Sequence, residues 1–156
     1  MNNAQKALCK TYIQTNFSAN VAASEWSQIS EAMSTAASPI TKAWATSVSA
    51  DVLDDAPDYS TFDTIAAGKR DSWGFLLARS RDFTRSKTRK WITDIWGNAT
   101  AGSNAEAILQ AALVNATGAE VAIGGTVLST GTVSGLKRDY IGGISVGEVN
   151  ALMSVP

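Results

Sequence analysis

Over the first 123 residues, apolar side chains recur every three or four positions, the spacing of amphipathic helices. Ala4, Ala7, Leu8, Thr11, Tyr12 and Ile13, with Lys6 and Lys10 between them, predict a first helix over 3–17, on which Cys9 is a small packing residue. Trp26, Ile29 and Met33 predict a shorter second helix. Ser38-Pro39 marks a helix start or an extended approach, and Ile40 to Val48 around Trp44 fits either helix or strand. Ser49 can cap a short helix through Val52 and Leu53 that ends before Pro57.

The clearest stripe comes next. Ser60 and Asp63 have capping-box spacing, and Phe62, Ile65, Ala66, Trp73, Leu76 and Leu77 continue on one face, with the stem of Lys69 between them. A further helix is predicted from Thr84, with Trp91, Ile92, Ile95 and Trp96 apolar and Gly97 just past its end. After a loop over 97–102, Ser103 and Glu106 form a capping box. Ile108, Leu109, Ala112, Leu113, Ala116 and Ala119 then predict one alanine-rich helix to about residue 122.

The pattern changes at Gly124. Residues 124–156 hold seven of the twelve glycines and only Lys137, Arg138, Asp139 and Glu148 as charges. Thr126 to Val133 suits a short strand or hairpin. Ser145-Val-Gly-Glu148 has capping-box spacing before Val149, Leu152 and Met153, which suits a short terminal helix. Such a segment is too sparse in apolar side chains to form a core alone and too apolar for a solvated linker. Two outcomes follow: a hairpin folded back on its own subunit, or an arm that orders on a neighbouring chain. The expected fold is mainly α, with a helical-bundle body over 1–123 and a Gly/Thr/Val-rich C-terminal arm over 124–156.

A chain of 156 residues can bury a core without covalent staples. Cys9 is the single cysteine and there is no histidine, which removes an intrachain disulfide, thiolate metal clusters and Ser–His chemistry. No phosphate-loop or dinucleotide glycine frame is present. An enzyme, a cofactor and a bound metal are therefore not expected. There is no apolar run of membrane length and no leader-like start, so neither membrane insertion nor secretion is expected.

The net charge of −1 conceals a dipole in sequence. Asp51, Asp54, Asp55, Asp58 and Asp63 fall within thirteen residues without a base, whereas residues 69–90 carry eight of the thirteen basic side chains. The acidic run lacks the glycine and terminal glutamate of a calcium loop, so solvated carboxylates are the simpler reading. Arg79, Arg81, Arg85, Lys87, Arg89 and Lys90 can line a solvated helix face, contact phosphates, or meet the acidic run of a second copy. In the arm, Val127, Leu128, Val133, Leu136, Tyr140 and Ile144 are the candidate contact residues.

Several segments carry a resemblance: Ala4-Gln-Lys-Ala-Leu8, 37–49 with its Ser-Pro and Trp44, Gly68-Lys-Arg-Asp-Ser-Trp73, Ser86-Lys-Thr-Arg-Lys-Trp-Ile92, Ala116-Thr-Gly-Ala-Glu120 and Ile144-Ser-Val-Gly-Glu-Val149. In this order they resemble a family of small proteins encoded among the virion morphogenesis genes of tailed bacteriophages. The layout is similar to that of head–tail connector (adaptor) proteins. The likeness departs at 120–125, where such proteins tend to carry a bulkier, more basic segment. It implies a virion structural protein, assembled in the host bacterial cytoplasm, that forms a ring with copies of itself between the portal and stopper or other tail components. On this resemblance, nucleic acid is a contact only as transiting phage DNA.

Overall fold

A computed structural model describes residues 1–154. In chain order the elements are α1 (Asn3–Asn16), α2 (Ser18–Ala22), α3 (Trp26–Ser34), β1 (Lys42–Trp44) and α4 (Ala50–Asp54). A 3-10 helix (Tyr59–Thr64), α5 (Ala67–Leu77), α6 (Ser86–Trp96), α7 (Asn104–Ala111) and β2 (Leu113–Asn115) follow. α8 (Gly118–Ile123), β3 (Val127–Thr130), β4 (Val133–Leu136) and α9 (Val146–Ser154) complete the order. The chain is mainly α, with 55% in helices, and carries a small four-stranded sheet. Among the described residues no helix is long and apolar enough to cross a membrane.

The chain forms two compact units, neither of them continuous in sequence. The first comprises 1–41, 115–126 and 138–156. Cys9 and Ile13 on α1, and Ile29 and Met33 on α3, are each one turn apart and bury toward Ala119, Ile123, Ile144, Val149 and Leu152. Gly118 lies against the backbone of α3, where a Cβ would meet Ala32 O at 2.8 Å and Met33 Cα at 3.0 Å. The Ser38–Pro39 peptide bond is cis. The Ala37 amide donates to Ala116 O, and the Ala116 amide to Thr41 O, both at 2.8 Å.

The second unit comprises 42–114 and 127–137. Its sheet has the order β2-β1-β4-β3, with β4 parallel to β1 (Ala43 opposite Leu136) and antiparallel to β3 (Leu128 opposite Gly135). Trp44, Leu53, Trp73, Leu76, Phe83, Ile92, Ile108, Leu109 and Val133 fill its core. The Trp44 indole N–H donates to Leu128 O at 2.9 Å, tying β1 to the hairpin. Gly131 takes a φ of +60° and Thr132 follows, the residue order of a type II′ hairpin turn. Any Cβ at Gly131 would also fall 2.0 Å from Ala99 O.

The structure revises several sequence expectations. The stripe over 60–77 is two helices, because Ile65 and Ala66 are extended between the 3-10 helix and α5. Asp58, rather than Ser60, caps the former. The alanine-rich helix is also divided: α7 stops at Ala111, β2 intervenes, and Thr117 caps α8. Within segment 40–48 only Lys42–Trp44 is strand, and Val48 forms an isolated bridge with Arg81. The tail contains the expected hairpin and terminal helix, but β4 pairs with β1 of the same chain, with β3 alongside β4, rather than waiting for a neighbour. The units therefore do not follow the expected division between 123 and 124, since residues 127–137 complete a sheet begun at Lys42.

Candidate functional site

The basic segment separates into two groups. Arg81 and Arg89 are buried. Arg81 donates from Nε to Leu76 O at 2.8 Å and from Nη2 to Phe75 O, occupying carbonyls left open at the end of α5. Its guanidinium lies 5.6 Å from the Phe75 ring and 5.5 Å from the Trp91 ring. Arg89 donates to Phe83 O at 2.5 Å and Thr130 Oγ1 at 3.1 Å, with the Trp44 ring 5.0 Å away. Burial lowers both guanidinium pKa values, and the nearby Arg79 charge lowers that of Arg81 further. These two side chains hold the fold, so neither is a surface contact.

The other four basic residues are exposed. Arg85 pairs with Asp82 at 3.1 Å, and Lys90 with Asp94 at 2.5 Å one helical turn away. Arg79 and Lys87 make no ion pair among the described residues. Phe75 is 61% exposed and packs edge-on against half-buried Trp91, 6.2 Å between ring centres.

Asp51, Asp54, Asp55 and Asp58 are all exposed. Asp58 accepts from the Ser60 amide and hydroxyl at 2.8 Å, which holds its carboxyl below the usual range. Asp54 accepts from the Tyr59 hydroxyl, and burial together with that carboxylate pushes the phenol up to about 12. Val52, in the same short helix, is 44% exposed. No group of three or more His, Cys, Asp or Glu could hold a metal among the described residues.

The tail residues also divide. Val133 and Ile144 are core, Leu128, Leu136 and Tyr140 are half-buried against their own units, and Val127 is 62% exposed on the edge strand β3. Val133 and Ile144 are therefore not open to a partner, because each fills a core of its own chain.

Sequence reasoning missed a buried charge pair in the first unit. Glu120 and Thr117 cap α8 reciprocally, with the Thr117 amide 3.0 Å from Oε2 and the Glu120 amide 3.3 Å from Thr117 Oγ1. Glu120 Oε1 also accepts from Arg138, through Nε at 3.1 Å and through Nη2, and from the Gly142 amide at 3.0 Å. Thr117 Oγ1 donates to Gly142 O at 2.9 Å. The Thr-x-x-Glu spacing was visible in the sequence, whereas the partner eighteen residues downstream was not. A groove of about 700 Å³ lies between α1 and α9, lined by Lys6, Ala7, Lys10, Glu148, Ala151 and Leu152 among others. The chain matches no family model, no curated protein and no solved structure with which it was compared.

Proposed function

We propose that this chain is a structural subunit of a tailed-phage virion rather than an enzyme: a head–tail connector whose helical-bundle body forms a ring with copies of itself between portal and tail components. The order of segments from Ala4-Gln-Lys-Ala-Leu8 to Ile144-Ser-Val-Gly-Glu-Val149 carries this reading. Within the second unit, Phe75 is left in solvent while packing against half-buried Trp91, and this aromatic patch supports an assembling surface. In such a virion the contacts are the portal on one side and a stopper or other tail protein on the other. Mass spectrometry of purified particles should find the chain at several copies per particle, and its absence from virions that infect normally would reject the reading.

Nucleic-acid binding through residues 79–90 is the competing reading. Burial of Arg81 and Arg89 leaves four basic side chains for phosphates. Binding through them should follow salt with a log–log slope no steeper than about −3.6, at roughly −0.9 per contact. Retention on a DNA column with a slope up to that value would favour that reading, whereas a steeper slope would require phosphate contacts outside the segment.

A further inference from the structure

We infer that the exposed Phe75–Trp91 patch with Arg79 and Lys87 docks onto the Val52 face of a second copy of this chain, where Asp51 and Asp55 supply the opposite charge. This rests on the reading of the chain as a self-assembling subunit and names the surfaces that meet. On the basic side, Arg81 holds Phe75 and Trp91 in place. It lies beside both rings while its donors are spent on the Phe75 and Leu76 carbonyls. An exposed phenyl ring is thereby presented on a supported platform, with Arg79 close enough to depress the pKa of Arg81. Lys87 stands one turn before Trp91 on α6. Arg85 and Lys90 each already have a carboxylate partner, so Arg79 and Lys87 are the exposed cations of this segment that make no ion pair among the described residues.

The acidic face is built in the complementary sense. Asp54 is occupied by the Tyr59 hydroxyl and Asp58 by its turn, whereas Asp51 and Asp55, one turn apart on and just past α4, hold no such bond and line one side of exposed Val52. An apolar side chain beside two free acids thus matches an aromatic patch that carries two free bases. Both kinds of complementarity are carried by one chain. Unlike patches that match on identical subunits allow a heterologous, ring-closing contact. A standard interface buries about 800 Å² per partner, so a contact carried by these few side chains is weak in isolation and gains from closure of the ring.

The test uses the full chain and two charge-reversed variants, R79E/K87E and D51K/D55K, each first shown by circular dichroism to keep wild-type helicity and melting. Sedimentation velocity at low salt should show concentration-dependent association of the wild type, weakened at least about tenfold in either variant. An equimolar mixture of the two should recover it, since each supplies the face the other lacks. A wild type that stays monomeric at all concentrations, variants that associate like wild type, or a mixture that fails to recover would each overturn the pairing. So would an oligothymidylate that binds the wild type and D51K/D55K alike but not R79E/K87E, which would give the aromatic patch to nucleic acid. Virion incorporation separates this inference from the reading beneath it. Particles that incorporate both variants normally reject the interface alone, and self-association by a protein absent from virions rejects the virion reading alone.

Discussion

Glu120 shows what a single side chain can organise. Its carboxylate is 2% exposed and serves three donor residues, Thr117, Gly142 and Arg138. Burying such a pair adds little relative to an apolar one, but removing one partner strands the other charge, at a cost of about 3–5 kcal/mol. Glu120→Ala and Arg138→Ala should each lower stability by about that amount in urea denaturation. The double variant should fall well short of the sum, and an additive pair would show that the charges act independently. Cys9 is the other informative residue. Burial pushes its thiol from 9.0 to about 11. The folded state therefore keeps a proton that the unfolded chain loses, so stability is fully present below about pH 9 and declines toward pH 11. The wild type should therefore lose stability relative to Cys9→Ala across that window, by on the order of 3 kcal/mol at most. Parallel pH profiles for the two proteins would remove the assignment to Cys9.

At the scale of elements, the reliable signals were those that close locally. Ser49 does cap α4, and Ser145 and Glu148 do bond reciprocally before α9. Ser103 accepts from the Glu106 amide, but the Glu106 carboxylate turns to the Gly102 amide and the Thr132 hydroxyl, which a three-residue spacing cannot reveal. The division between α7 and α8 escaped because Ala112, Ala116 and Ala119 keep helical spacing across it, and all three are buried. Periodicity registers burial, and β2 followed by a capped turn buries the same positions. Two glycines test the packing of elements directly. Gly74 in α5 has nothing within 4 Å of an added Cβ, so Gly74→Ala should stabilise by about 0.5–1 kcal/mol. Gly118→Ala would place its methyl 2.8 Å from a backbone carbonyl of α3 and should destabilise by about 1–3 kcal/mol through overpacking. Thermal midpoints that move in the same direction for both would contradict this account of α8 against α3.

The whole molecule was the least legible in sequence, because its two units are assembled from segments far apart in the chain. Nothing near Lys42 announces a parallel partner at Leu136, and a Gly/Thr/Val segment reads the same whether its partners lie in its own chain or another. The structure decides between those outcomes. β4 occupies an interior position between β1 and β3, Val133 is core, and Arg89 and Trp44 both reach the hairpin. In the first unit Ile144, Val149 and Leu152 bury against Ile29, Met33 and Cys9. Deleting residues 126–156 therefore removes an interior strand from one unit and a helix from the other, and cannot leave a stable body behind. The truncated chain should lose its cooperative thermal transition and expose its tryptophans, seen as a red-shifted emission. In the intact monomer, amide hydrogens of β4 should exchange orders of magnitude more slowly than those of the loop over 137–143, because an interior strand opens only when its unit does. Rapid exchange across Val133–Leu136 in a confirmed monomer, together with a truncated chain that still melts cooperatively, would return the tail to the role of an arm that orders on its neighbours.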